Sequence, residues 1–224
     1  MIWGITSMNN QILVGTDPEV FLRRKSDGAL VSAFGHVLGS KENPHPVEKG
    51  AVQLDGMAAE FNINPATNPQ EFVDNITAVM GQLQDMVGND YELAAEPVAK
   101  FGKRYINKQP EHVKELGCTV DYNAYTGKPN VTPDAEKPFR TGAGHIHIGF
   151  TDVEDEMEEG HFNDCRVICA LLDAALGAPL ALYAKDKKRR ELYGDWGAFR
   201  PKKYGFEYRV PSNFWLKSPK LMEA

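Results

Sequence analysis

The chain has 224 residues and a mass of 24.9 kDa, enough for one large domain with its own core. Hydrophobic residues make up 42% and charged residues 25%, the balance of an ordinary soluble globular enzyme. The formal net charge of −6 and pI of about 5.6 exclude a general basic footprint for nucleic acid, so positive charge acts locally, between Lys185 and Arg209.

Cys118, Cys165 and Cys169 form an odd set without zinc-like spacing, and the last two lie four apart in an apolar helical pattern. Buried thiols in a reducing cytoplasm are the expectation. The first residues lack the basic and apolar regions of a signal peptide. No apolar stretch in the sequence reads as approaching the ~20 residues that span a bilayer, so no membrane partner is expected.

In chain order, Leu13 to Arg24 reads as the first strand. Ser26-Asp27-Gly28 then signals a hairpin into Ala29 to Phe34. A second strand pair is expected from Ala51–Leu54 and Met57–Asn64 around an Asp55-Gly56 turn. The clearest helix starts at Asn68 as cap, with Pro69 in the first turn and Glu71 at capping-box spacing. Its apolar positions from Phe72 to Val87 recur at helical period, and Gly88 supplies the stop. Ala99 to Thr141 reads as a long binding loop or a disordered segment. A second, heavily buried helix is expected over Asn163–Leu176, broken at Gly177-Ala178-Pro179 and resuming towards Ala184. A loop, one strand and an extended tail complete the chain.

Read at period two, four segments share one design. Asp17 and Glu19 share a face, as do Glu60, Asn62 and Asn64, then His145 and His147, then Glu207 and Arg209. Apolar residues alternate with them and need the two helices as cover. Crowded carboxylates raise one another's pKa unless cations neutralise them, and carboxylate oxygens with few lysines suit Mg²⁺ or Mn²⁺. Arg189, Arg190, Arg200 and Arg209, with Lys202 and Lys203, lie among Gly194, Gly197 and Gly205, where guanidinium groups suit phosphate or carboxylate. Lys185 to Arg190 reads equally well as a solvated helix end. The Thr141-Gly142-Ala143-Gly144 run places flexible backbone before the histidines but matches no Walker or Rossmann fingerprint. A metal–phosphate site on one sheet face follows.

Several motifs then carry a family resemblance: Gly15-Thr16-Asp17-Pro18-Glu19, Glu60-Phe61-Asn62, Gly117 to Tyr125, Gly144-His145-Ile146-His147-Ile148-Gly149, and the run from Leu192 to Trp215. In this order they resemble the phage-encoded carboxylate–amine ligases of type 2, within the glutamine-synthetase-like superfamily. The resemblance spans nearly the whole chain as a single catalytic domain. It implies an α+β fold, a mainly antiparallel sheet with helices on one face and an ATP–metal site on the other. The implied reaction is ATP-dependent amide formation through an acyl phosphate, on a small amino-acid-like or peptide substrate, in the cytoplasm of an infected bacterial host.

By the same resemblance Glu19, Glu60, Glu207, His147, Asp17 and His145 are the metal ligands. Arg200 and Arg209 are the catalytic cations, with Arg190 and Lys202 beside them for the nucleotide. Residues Gly117 to Arg140 would cover the substrate, and a homo-oligomer is left open. Relative to the family, Ala143 replaces a glycine, and the chain ends earlier than expected after Trp215. A metal-dependent amide hydrolase and an inactive ligase-like binding protein remain the alternatives.

Overall fold

The alternating and helical patterns take shape in a computed structural model that describes residues 11–114, 120–131, 139–184, 186–190 and 193–223. The chain begins with strands β1 (Leu13–Thr16), β2 (Glu19–Arg24), β3 (Leu30–Val31), β4 (His45–Val47), β5 (Gly50–Asp55) and β6 (Ala58–Ile63). Helix α1 (Pro69–Val87), strands β7 (Tyr91–Ala94) and β8 (Val98–Lys100), and short helices α2 (Lys103–Asn107) and α3 (Glu111–Lys114) follow. Next come β9 (Tyr122–Asn123), β10 (Phe139–Thr141) and β11 (Ile146–Gly149). A helical run consists of α4 (Glu159–Leu172), a π turn (Asp173–Gly177) and α5 (Ala178–Ala184), followed by α6 (Lys187–Arg190). Strands β12 (Ala198–Lys202) and β13 (Gly205–Tyr208), a 3₁₀ turn (Asn213–Lys217) and α7 (Pro219–Met222) complete the described chain.

The fold is α+β, and the strand pairings are antiparallel. One sheet runs β1-β11-β13-β12-β9; another runs β3-β2-β6-β5-β4, with β7 also on β2. The single first strand expected over 13–24 is therefore two strands in different sheets. Pro18 is the physical break, since it has no N–H to give to a ladder. Its carbonyl instead accepts from Phe61 N at 3.2 Å, while Val14 and Ala66 exchange two backbone hydrogen bonds. These contacts join the two sheets at the crossing.

The cap of α1 forms as read: Asn68 accepts from Glu71 N at 3.0 Å, and Pro69 occupies the first turn. The Glu71 carboxylate reaches one residue further back than a capping box, to Thr67. Ile76, Val79 and Leu83 are fully buried against Val52, Phe61 and Ile63 of β5 and β6. Met57, placed by alternation with that apolar face, instead joins Phe21 and Phe101 because it lies in the hairpin turn. The supposed loop over 99–141 contains short elements paired with distant chain, such as β8 with β10.

The second helix differs most from expectation. It runs without interruption through Gly177-Ala178-Pro179, because Ala178 N donates to Asp173 O five residues back. A wide π turn leaves room for the Pro179 ring, which would clash in a regular α turn. The buried line of this helix is His161, Cys165, Cys169, Asp173 and Gly177, while Val167, Leu171 and Leu182 are exposed. The sheet covers only one side of it, through Phe199, Phe206 and Tyr208. Its span Glu159–Ala184 is, by length and composition alone, apolar enough to cross a membrane. This overturns the reading that no such stretch exists. Cys165 and Cys169 are buried free thiols as expected, with burial pushing Cys165 up to about 12; Cys118 lies outside the described residues.

Candidate active site

Strand register lines up two rows of polar side chains. In the first sheet Gly15, His147, Glu207 and Arg200 occupy neighbouring positions on β1, β11, β13 and β12. In the second, Glu19, Glu60 and Gln53 do so on β2, β6 and β5. Asp17, in the crossing between the sheets, stands beside the first row. The polar face read as one sheet surface is thus assembled from two sheets.

The first row is buried and densely paired. Asp17 Oδ1 lies 3.1 Å from His147 Nε2 and 3.3 Å from His145 Nδ1. Glu207 meets His145 Nδ1 and Arg200 Nη1 at 3.0 Å each, accepts from Arg209 Nη1, and has Lys202 Nζ at 3.9 Å. Arg209 Nε donates to Asp121 at 3.0 Å, and its guanidinium lies over the Tyr193 ring. Burial alone would raise the Asp17 carboxyl, but the charges and hydrogen bonds of His147 and His145 hold it well below the usual range. Glu207 is lowered too, since His145 and Arg200 outweigh burial and Asp17. His147 is raised by Asp17 and Glu207 against the opposing effect of burial.

The second group is Glu19, Asp55 and Glu60, with Lys41 Nζ 2.7 Å from Asp55. Its electrostatics are opposite. Burial, then the charges of Asp17, Asp55 and Glu19, drive Glu60 well above its ordinary value. Glu19 is also raised, by burial and then Asp55. Its carboxylate accepts from Ala143 N at 3.0 Å, and Glu19 N donates to Ala143 O.

Each of these two groups could hold a divalent ion. Donor atoms of Asp17, His147 and Glu207 lie within 4.8 Å of one another, as do those of Glu19, Asp55 and Glu60. The all-oxygen set matches the preference of Mg²⁺, and the mixed set suits Mn²⁺ or zinc. The Tyr204 hydroxyl bonds to His147 Nδ1, which turns Nε2 towards Asp17, as outer partners of metal-bound histidines do. The residues fit a metal. A first prediction follows from the raised Glu60. Its protonated form is favoured by the fold, so its contribution is present below the ordinary carboxylate range and lost as pH rises through the raised value. Glu60→Gln should therefore melt progressively higher relative to wild type as pH rises from the ordinary carboxylate range through the raised value, and Mg²⁺ should narrow that difference.

Arg200, Lys202 and Arg209 come together as the motifs suggested. Arg190 stands elsewhere, bonded to Asp186 at 3.0 Å and stacked on Trp196. Arg189 is fully buried and donates to the carbonyls of Val210 and Arg209, so it clamps backbone. Glycines beside the histidines and the cations serve internal packing. A Cβ on Gly144 would fall 2.4 Å from Ser212 O, and one on Gly194 would fall 2.4 Å from Arg189 Nη1. The run 142–144 is accordingly tied backbone, with Gly142 N on Pro97 O and Gly144 N on Pro211 O.

Sequence reasoning overlooked Asp55, Lys41, Asp121, Tyr193 and Tyr204 as members of the site. Asp55 had a signal: it shares strand parity with Gln53, which pairs with Glu60, but the turn-forming Asp-Gly hid it. Tyr193 hydrogen-bonds His145 Nε2 across 48 residues, a contact without local signature. Residues 117–119 and 132–138 of the expected substrate cover, and Leu192 of the C-terminal motif, lie outside the described residues.

Among known families, residues 134–224 match the model described as phage phiEco32-like COOH.NH2 ligase-type 2. The match contains both histidines, Arg200, Lys202, Glu207 and Arg209, and supports the family seen in the motifs. Neither the curated proteins nor the solved structures contain a match to the chain.

Proposed function

We propose, with residues 134–224 carrying the signature of the phage phiEco32-like carboxylate–amine ligases, that this chain joins a carboxylate to an amine at the expense of ATP. The observation that carries the reading is the buried row His147–Glu207–Arg200 with Asp17 and Arg209, most of it inside the matched segment. The antiparallel strands, with α1 and α4 on their apolar side and carboxylates on the other, support a glutamine-synthetase-like core.

In this reading Glu19, Asp55 and Glu60, and across the crossing Asp17, His147 and Glu207, would hold Mg²⁺ or Mn²⁺. His145 steadies Asp17 and Glu207 rather than completing either donor group. Mg²⁺, when bound, offsets negative charge on the transferring phosphate. The substrate carboxylate attacks the terminal phosphorus of ATP, giving an acyl phosphate and ADP. The amine then attacks the acyl carbon, phosphate leaves, and the amine loses a proton. Arg200 and Arg209 are suited to binding phosphoryl oxygens, since Glu207 and Asp121 fix their guanidinium planes. Lys202 extends the same positive edge. Arg190, held by Asp186, is left out.

The test is ADP and phosphate release by the full chain with Mg²⁺ and panels of small amino-acid-like or peptide carboxylates and amines. Release should require all three additions. Failure to bind ATP with Mg²⁺ present would sink the ligase. Amide turnover without nucleotide, with zinc retained on purification, would identify a hydrolase. Ligand binding indifferent to both Glu60→Gln and Glu207→Gln would identify a binding protein.

A further inference from the structure

The long helical run leaves an apolar stripe on the side away from the sheet. Val167, Leu171, Ala174, Ala175, Ala178 and Leu182 follow one another at helical spacing, and all six are exposed among the described residues. The large members are open to 61, 64 and 80% for Val167, Leu171 and Leu182. The stripe has a centre of symmetry between Ala174 and Ala175. Turned end for end against itself, it sets Val167 against Leu182 and Leu171 against Ala178, with alanines meeting at the middle. Small residues there permit close helix approach, and each leucine faces a smaller side chain.

Charge has the same symmetry. Glu154, Asp155, Glu156, Glu159 and Asp164 are exposed around the start of α4, whereas Lys187 and Lys188 are exposed just beyond α5. An antiparallel pair of these helices brings the acidic end of each against the basic end of the other. The acidic start and basic end of each helix also complement its own dipole. A lipid surface suits this face poorly, since interfacial helices carry cations along the polar side and this one is flanked by carboxylates.

We propose that this face is the interface of a homodimer related by a two-fold axis, with the two copies of the 159–184 helix packed antiparallel. The stripe runs from Val167 to Leu182, about 24 Å of helix, and at ~10 Å wide offers roughly 240 Å² per copy. That is about a third of a standard interface, and the charged ends add to it, so the dimer is weak, reversible and concentration-dependent.

Sedimentation of the full chain over roughly 1–100 μM should show a monomer–dimer equilibrium. Leu171→Glu keeps a good helix former at an exposed position and should weaken the dimer at least about tenfold with circular dichroism and melting unchanged. Asp164→Lys and Lys187→Glu should each weaken it, and the two together should restore it. A chain monomeric throughout, or a dimer indifferent to Leu171→Glu, overturns the interface. Flotation of wild type with phosphatidylcholine vesicles, abolished by Leu171→Glu, overturns it too by assigning the face to lipid. These readouts do not depend on whether the ligase reading holds.

Discussion

Glu207→Gln is expected to lower unfolding stability by about 3–5 kcal/mol and to reduce any ligase turnover by at least about 10²–10³-fold. The amide has nearly the same shape, so packing survives and the change is electrostatic. Glu207 is 1% exposed and serves Arg200, Arg209, His145 and Lys202 at once. Without its charge Arg209 keeps Asp121, while Arg200 loses the carboxylate 3.0 Å from its Nη1. Removing the one buried negative charge that several cations share costs more than a single pair contributes, which is why a single removal is severe. The stability effect is read from urea midpoints at constant slope. Combining Glu207→Gln with Arg200→Gln should recover part of the stability and none of the activity.

Asp173→Ala should cost about 3–5 kcal/mol although it touches neither candidate metal group. Asp173 faces inward from the π turn at 4% exposure. One carboxylate oxygen accepts from Tyr208 Oη at 2.7 Å, and the other accepts from Tyr125 Oη and Gly197 N at 2.7 Å each. Alanine leaves the Tyr208 hydroxyl and the Gly197 amide without this acceptor, and desolvated donors without partners are the expensive case. Tyr125→Phe should cost far less, since that ring is 56% exposed and can hydrate. The hydrogen bond to Asp173, with a smaller effect of burial, pushes the Tyr125 phenol up to about 12. The contribution of that contact is therefore present below the ordinary phenol range and lost as pH rises through about 12. Because Asn123 and Ala124 hydrogen-bond the 195–197 turn, whose Gly197 amide Asp173 holds, Asp173→Ala should also loosen the segment carrying Asp121 beside Arg209. Hydrogen exchange of amides 121–125, compared between the two variants, checks this.

Local chemistry determined much of this protein. Asn68, Pro69 and Gly88 delimit α1 because caps act within a turn of the residues they satisfy. The polar face of each strand was readable from alternation, since successive side chains on a pleat point in opposite directions whatever the strand pairs with. For that reason Glu19, Glu60, His147, Glu207 and Arg209 stood out in the sequence.

The tertiary structure decided what those faces meet. Pro18 ends a ladder that hydrophobicity alone would continue, and Asp17 thereby leaves the strand to stand beside His147. Asp121 and Tyr193 reach the site through contacts with distant residues, and no local period encodes such distances. The helix from 159 to 184 shows both sides of the matter. Its sequence supplied helical spacing and apolar content, but only the position of the sheet determined that His161, Cys165 and Asp173 turn inward while Val167, Leu171 and Leu182 face out. Burial is a property of what lies opposite, and a helix has two sides but one sheet to cover.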